Sequence, residues 1–151
     1  MNRAPGDAVP GPRASALAAE LRGLIGKLKR RLREQANVGD LTVSQIAVLL
    51  RLEKDGPATA SQLARAEGMR AQSMGPIVAA LEAAGLVKGA PDPSDGRQTI
   101  IALTDQCLDR IREGRAARQD WLSRTIDQRL SAEEQEQLRA AIALLKRLID
   151  D

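Results

Sequence analysis

The amino-acid sequence predicts a mainly α-helical protein that carries one small β-hairpin. Three observations lead to this prediction. The 151 residues include 25 Ala and 20 Leu but only 15 Val and Ile together, and this balance favours helices over sheets. Apolar residues recur at spacings of three and four near both ends of the chain. The strongly β-prone run at residues 99–101 directly follows a segment dense in turn-forming residues.

The N-terminal part is predicted to be a tail followed by a long helix. Residues 1–14 hold three of the seven prolines and two glycines, a composition typical of disordered tails. A helix is expected from Ser15 within residues 15–40, because leucines fall there on one helical face, at Leu17, Leu21, Leu24, Leu28 and Leu32. The basic cluster at residues 29–33 is either a phosphate-binding patch or a solvated helix end favoured by the dipole.

The next segment predicts three helices in close succession. The first is expected over residues 41–55, with Thr42 or Ser44 as its cap and a Gly-Pro pair as its stop. A short helix over residues 59–68 opens with a capping box and closes on a glycine. A longer helix follows over residues 70–84. A short helix, a tight turn and a longer helix form the helix-turn-helix pattern.

A hairpin and two further helices are expected to complete the chain. Residues 86–87 and 99–101 are predicted to be short strands joined by a polar turn at residues 91–97, and a hairpin in this place is a wing. A long helix is expected over residues 104–129, with Thr104 as its cap. The last helix opens with a second capping box and continues with one apolar face, at Leu138, Ile142, Leu145 and Ile149.

The composition excludes several classes of function. There is no His, which removes Ser-His-Asp triads and His-ligated metal sites, and the single Cys allows neither an internal disulfide nor a cysteine zinc cluster. Trp121 is the sole aromatic residue, so a base-stacking sheet for single-stranded nucleic acid is not expected. We therefore predict no enzyme, no catalytic residues, no metal and no cofactor, although a mechanism based on carboxylates alone stays formally open.

Charge and hydropathy narrow the function further. No apolar run approaches the roughly 20 residues that span a bilayer, and the N-terminus lacks the apolar core of a signal peptide, so a cytoplasmic protein without membrane contact is expected. The net charge is +3, of which residues 1–40 contribute +4 and residues 41–104 contribute zero. Binding to nucleic acid must therefore depend on individual placed residues.

Four motifs together resemble the MarR family of transcriptional regulators, over roughly residues 15–150. They are Leu41-Thr42-x-x-Gln45, the segment from Thr59 to Gly68, Leu81-Glu82-x-x-Gly85-Leu86-Val87 and Asp92-Pro93-x-Asp95-x-Arg97-x5-Leu103-Thr104. The resemblance implies a homodimeric winged helix-turn-helix protein, with a DNA-binding domain at residues 41–104 and dimerisation helices at residues 15–40 and 105–151.

The resemblance also implies a function. We expect a sequence-specific regulator that binds double-stranded DNA, represses transcription and is released by a small-molecule effector whose binding residues are unknown. Two-fold symmetry predicts a pseudo-palindromic operator with half-sites about 10 base pairs apart. Two alternatives stay open at this point. One is a winged-helix module that contacts proteins without a DNA sequence preference, and the other is a redox sensor that uses Cys107.

The wing is expected to contribute Arg97 and Asp95 to the DNA interface. The resemblance places Arg97 in the minor groove, where a guanidinium suits the negative potential of a narrow groove. The Asp95 carboxylate, two residues away, could hold the guanidinium in place through a bidentate pair. The alternative for both is a pair of ordinary solvated charges.

The recognition helix is expected to contribute Arg70, Gln72, Ser73 and Gly75. Arg can read guanine, Gln can read adenine, and Ser73 is equally suited to a phosphate. Gly75 either permits close approach to DNA or simply precedes Pro76. This segment departs from the family, which usually has Ser or Thr at the position of Arg70 and Thr and Arg in the middle of the helix. We expect Pro76 to remove one hydrogen bond and to kink or displace the helix.

Six other residues have two interpretations each. Ser61 and Gln62 lie at the start of the short helix over residues 59–68, where backbone amides could bind a phosphate. The two residues either contribute to such a phosphate contact or act only in capping the helix. Cys107 is interpreted as a small buried side chain more readily than as a redox sensor, and Trp121 as a packing residue more readily than as part of a ligand pocket. Met69 and Met74 are predicted to fill gaps in the core, and the alternative for both is contact with a ligand.

Overall fold

The computed structural model describes residues 9–36 and 39–150, and these form two compact units. The winged unit comprises residues 39–116, and the helical unit comprises residues 9–36 and 117–150. The protein is mainly helical with a small antiparallel sheet, as the sequence predicts. Among the described residues, every helix is too short or too polar to span a lipid bilayer.

The long helices begin at residues suited to helix starts. The first helix, α1 (Pro12–Gln35), begins three residues before Ser15, because Pro12 occupies the first helical turn, where its fixed φ is favourable. Residues 12–14 are thus helical rather than part of the predicted tail, and residues 1–8 of that tail lie outside the described residues. The last two helices are α5 (Asp105–Arg129) and α6 (Ala132–Lys146). The predicted capping box of α6 is confirmed, between Ser131 and Glu134.

The winged unit contains the predicted helices and hairpin. Its helices are α2 (Val43–Asp55), α3 (Ala60–Ala66) and α4 (Ala71–Ala83), and its strands are β1 (Ala58–Thr59), β2 (Val87–Pro91) and β3 (Thr99–Leu103). Thr42, and not Ser44, caps α2, because its hydroxyl accepts a hydrogen bond from the backbone N–H of Gln45. Thr59 caps α3 in the same way, through Gln62.

The sheet has a strand that the sequence analysis did not predict. Its order is β1-β3-β2, with both pairings antiparallel. β1 contributes two residues, of which Ala58 pairs with Ile101 and Thr59 with Ile100. β2 and β3 form the wing, in a register that places Val87 opposite Leu103. The wing is therefore joined to the start of α3 through β1 as well as to the end of α4 through β2.

The core of the winged unit fixes the orientation of α4. Six side chains are less than 2% exposed: Val48, Leu63, Met74, Leu81, Leu86 and Cys107. Met69 packs against this cluster, so both methionines belong to the core as predicted. Because Met74 and Leu81 lie about two turns apart on the same side of α4, their burial determines which side of the helix faces solvent.

Polar contacts hold the helices and the wing together. The Thr104 hydroxyl donates a 2.7 Å hydrogen bond to the carbonyl of Gly85, and it accepts one from the backbone N–H of Cys107, as a helix cap does. Gly85 has a φ of +73°, which ends the segment after α4 in a left-handed turn. The Arg115 guanidinium forms a two-pronged ion pair with Glu53, which joins α5 to α2.

Candidate nucleic-acid interface

The start of α4 presents polar side chains to solvent. Arg70 is the N-cap residue, and in the described structure no side-chain hydrogen bond caps this end of the helix. Arg70, Gln72 and Ser73 are all exposed. The sequence-predicted contacts at this helix start are thus free to meet a ligand, and an uncapped helix start with a neighbouring cation suits a phosphate or a base edge.

The α4 helix continues through Pro76 and ends at Ala83. The proline lacks an N–H for the carbonyl of Gln72, so the helix loses one hydrogen bond. Both residues are exposed, and water can satisfy that carbonyl. Pro76 thus lies inside one continuous helix, and Met74 and Leu81 are buried in the core on either side of the proline.

A groove separates α4 from the wing. It encloses about 550 Å³ and is lined by side chains from the start of α3, from α4 and from the wing strands. Three of the predicted site residues line it, namely Ser61, Gly75 and Arg97. The groove thus brings residues that are far apart in sequence to one surface of the winged unit. The other predicted site residues do not line it, namely Gln62, Arg70, Gln72, Ser73 and Asp95. The side-chain oxygen of Gln62 accepts the backbone N–H of Thr59.

Sequence reasoning missed Glu82 as a residue of this groove. Glu82 lies two helical turns after Gly75, so both belong to one side of α4, and both line the groove. The spacing of seven residues is the signal that could have identified it. Its carboxylate opposes an anionic ligand at this end of the groove, whereas Arg97 favours one at the wing end.

The tip of the wing is shaped by two aspartates. Asp92 accepts hydrogen bonds from both the backbone N–H and the hydroxyl of Ser94, and these bonds hold the pKa of the Asp92 carboxyl below its ordinary value. Asp95 accepts the backbone N–H of Arg97 at 3.1 Å. Within the described residues no ion pair joins Asp95 to the Arg97 guanidinium.

The predicted bidentate pair between Asp95 and Arg97 is therefore wrong. The two residues lie in one tight turn, where the short Asp side chain reaches the backbone two residues on more easily than the end of a long Arg side chain. Asp95 shapes the turn that carries Arg97, and the exposed guanidinium is left free to meet a ligand.

This geometry predicts different effects for two substitutions of Asp95. Asp95→Asn retains a side-chain oxygen for the Arg97 N–H and removes a negative charge, so DNA affinity should stay equal or rise. Asp95→Ala removes the acceptor, which costs about 0.5–1.5 kcal/mol for a hydrogen bond of this kind, and should weaken binding. Fluorescence anisotropy with a labelled duplex measures both. Equal losses in both variants would show that the charge, and not the turn, is what matters.

Cys107 is 1% exposed and packs among the apolar side chains of the winged unit. Burial raises the pKa of its thiol, which the cation of Arg110 partly offsets and the carboxylate of Glu53 reinforces. The thiol is therefore protonated near neutral pH, and the thiolate needed for oxidation is scarce. The packing interpretation is supported by this burial.

The native protein should accordingly resist modification at Cys107. A disulfide reagent such as Ellman's reagent should label it rapidly in urea and at least tenfold more slowly without urea, because labelling requires opening of the core. Rapid labelling of the native protein at pH 7 would contradict the burial of Cys107.

The raised pKa of the thiol also affects the free energy of unfolding. Its contribution is complete below the ordinary thiol pKa of about 8.5 and declines as the pH rises from there toward the folded-state pKa.

Positive charge is concentrated outside the winged unit. Residues 39–116 hold nine basic and ten acidic residues, whereas residues 9–36 hold seven basic and two acidic ones. On α1 the basic side chains at residues 22, 27, 29, 30 and 33 are exposed. Arg31 is exposed as well, and its guanidinium lies 5.9 Å from the centre of the ring of the partly buried Trp121. Trp121 thus takes part in packing within the helical unit.

The described residues contain no cluster of three or more metal-binding side chains. The candidate interface consists of a polar helix start, a groove and a wing tip with an exposed guanidinium.

Comparisons with known proteins agree with this architecture. Residues 39–98 match the sequence profile of the MarR family. An uncharacterised HTH-type transcriptional regulator of Mycobacterium bovis is 33% identical over 135 residues, which are 89% of this chain and 94% of that protein. A solved structure from Pseudomonas aeruginosa PA01, described as a transcriptional regulator, has 34% identity and a TM-score of 0.80, and the match covers 94% of this chain and 99% of that chain.

A third similarity concerns the fold alone. A point mutant of MepR from S. aureus, solved bound to an oligodeoxyribonucleotide, has a TM-score of 0.72 at 22% identity, over 87% of this chain and 97% of that chain. The names of the relatives are those of regulators, and the fold is the winged helix-turn-helix that the sequence predicts. The chain belongs to the MarR family of transcriptional regulators.

Proposed function

We propose that the protein is a homodimeric, sequence-specific DNA-binding repressor in the cytoplasm, released from its operator by a small-molecule effector. One observation carries the DNA-binding part: a groove whose two sides are the exposed α4 helix and the wing that bears Arg97. A helix that fits a major groove, with a cation beside it that fits the adjacent minor groove, suits duplex DNA. The DNA-bound MepR structure supports this use of the fold.

The predicted residues then divide into two roles. Arg70, Gln72 and Ser73 meet base edges or phosphates at the start of α4, and Gly75 lets the helix approach closely. Arg97 enters the minor groove from a turn that Asp95 holds. Ser61, exposed beside the groove, is placed to contact a phosphate, whereas Gln62 acts first as part of the helix cap.

The helical unit supports the homodimer. Within the described residues, neither α1 nor α6 has a buried residue. Both helices and the segment after α6 nevertheless carry large apolar side chains that are 39–80% exposed. These side chains are Leu17, Leu24, Ile25, Leu28, Ile142, Leu144, Leu145, Leu148 and Ile149. Apolar surface of this extent marks an interface. A second copy is the occupant we propose, since two winged units would then match a pseudo-palindromic operator. A dimer covering both half-sites would block access to a promoter, which is the basis for proposing repression.

Analytical ultracentrifugation with a labelled duplex tests this proposal. We expect the wild type to sediment as a dimer and to bind one duplex with two chains. Leu144→Glu combined with Leu145→Glu should give a monomer whose circular dichroism remains helical and whose affinity for the duplex is strongly reduced. A monomeric wild type that binds one duplex per chain would contradict the homodimer while leaving DNA binding intact.

One observation favours a second function. The winged unit carries one more acidic than basic residue, which is unusual for a surface that binds DNA phosphates. A protein-contacting module would explain it. That function predicts equal, weak binding to all duplexes and an unchanged partner affinity in Arg97→Ala, so the same DNA titrations distinguish the two.

A further inference from the structure

The solvent-facing side of α4 carries few side chains that can form hydrogen bonds. Gln72, Pro76, Ala79 and Ala83 follow one another at spacings of four, three and four, so they share one side of the helix, and all four are exposed. Gln72 alone among these side chains can form hydrogen bonds. Glu82 is the one charged residue of α4, and it lies toward the groove beside the wing.

The opposite side of α4 is occupied by the core. Met74 and Leu81 are fully buried, and Ile77 and Val78 pack against the same cluster. Rotating α4 to present different residues would expose these side chains and lose the stabilisation that their burial provides. A ligand on the middle of the solvent-facing side therefore meets Pro76 and Ala79.

Gly75 lies beside this surface, and packing within the winged unit does not explain why a glycine is found there. An added Cβ at Gly75 would have no described protein atom within 4 Å, so packing inside the unit does not require glycine there. The position can instead bring the helix backbone close to a partner. When the helix backbone lies close to a partner, a short side chain such as the Ala methyl group can reach van der Waals contact with that partner.

These observations, together with the proposed function, identify the base chemistry that α4 fits. In the major groove every base presents hydrogen-bonding groups, and thymine alone adds an apolar one, its 5-methyl group beside the O4 acceptor. Pro76 and Ala79 can bury a methyl group but cannot satisfy a donor or acceptor. We propose that Pro76 and Ala79 read thymine methyl groups, so that each operator half-site carries thymine where the middle of α4 lies.

Removing single methyl groups from the operator tests this inference. The full-length protein first selects its operator from a pool of random duplexes. Each thymine of the selected half-site is then replaced by deoxyuridine, which retains base pairing and lacks only the methyl group. We expect about fourfold weaker binding at the contacted thymines, since burial of one such group contributes about 0.8 kcal/mol. Deoxyuridine in the flanking sequence should have no effect.

Two protein variants connect the effect to α4. Ala79→Ser places a hydroxyl on the proposed surface, and the deoxyuridine penalty should fall toward onefold. Ala66→Ser makes the same change at an exposed position on α3 instead of α4 and should retain the fourfold penalty. Such a cycle isolates the contact from any general change in stability.

The outcomes separate this inference from the proposed function. Half-sites without thymine, or equal affinity for the thymine and deoxyuridine operators, would overturn the inference while leaving a sequence-specific regulator. If the wild type selects no sequence at all, the proposed function itself fails, and this inference fails with it.

Discussion

Replacing Arg97 by Ala should weaken operator binding by roughly 10- to 150-fold at fixed salt, since hydrogen bonds to charged groups contribute about 1.5–3 kcal/mol. The guanidinium is exposed at the edge of the groove, and within the described residues it forms no ion pair with a carboxylate. Its loss should also make the dependence of affinity on salt shallower, by about 0.9 for each phosphate contact removed. Anisotropy titrations at several salt concentrations measure both quantities.

A matched variant controls for net charge. Arg112 is an exposed arginine in the same unit, on α5, and pairs with the nearby Asp109. Arg112→Ala should leave affinity and salt dependence close to those of the wild type. Equal losses in the two variants would mean that general charge, and not the position of Arg97 on the wing, governs binding.

Replacing Leu81 by Ala should lower the free energy of unfolding by about 2–5 kcal/mol, the range for a fully buried leucine. Leu81 has no exposed surface and lies on the side of α4 that faces the core. The deletion leaves a cavity directly behind the groove-lining residues, so DNA binding should fall as well. Urea denaturation at constant protein concentration, followed by circular dichroism, measures the change.

Leu50→Ala is the comparison, because Leu50 is 47% exposed on α2 of the same unit. Its loss should cost no more than about 1 kcal/mol. If Leu81→Ala unfolds too readily for a titration, Leu81→Val removes less volume and should show a smaller loss in the same direction. A Leu81→Ala protein as stable as Leu50→Ala would show that α4 is not anchored through this side chain.

The helix starts could be predicted from sequence because their causes are local. The boxes formed by Thr59 with Gln62 and by Ser131 with Glu134 each lie within four residues, and both form as expected. The strand pairing of β1 could not be predicted, because its two residues acquire strand geometry only from β3, some forty residues later. The early start of α1 reflects Pro12, which was assigned to the tail although proline suits a first helical turn.

The site could be predicted only in part, for the same reason. The order of elements indicated that α4 and the wing belong together, and Ser61, Gly75 and Arg97 do line one groove. The bonding of Asp95 depends on the exact turn geometry, which favours the backbone N–H over the guanidinium. Glu82 lines the groove because it lies on the same side of α4 as Gly75 and because the wing lies beside that side. The helical spacing can be obtained from the sequence, but the position of the wing cannot.

Competition anisotropy tests the central claim most directly. The selected operator, labelled and bound by the full-length protein, is competed with unlabelled operator and with a scrambled duplex of equal length, at two salt concentrations. A sequence-specific regulator predicts that the operator competes at least a thousandfold better than the scrambled duplex, within the roughly 10³–10⁷ ratio of specific binders, and that affinity falls steeply with salt. Equal competition by the two duplexes would contradict a sequence-specific DNA-binding function.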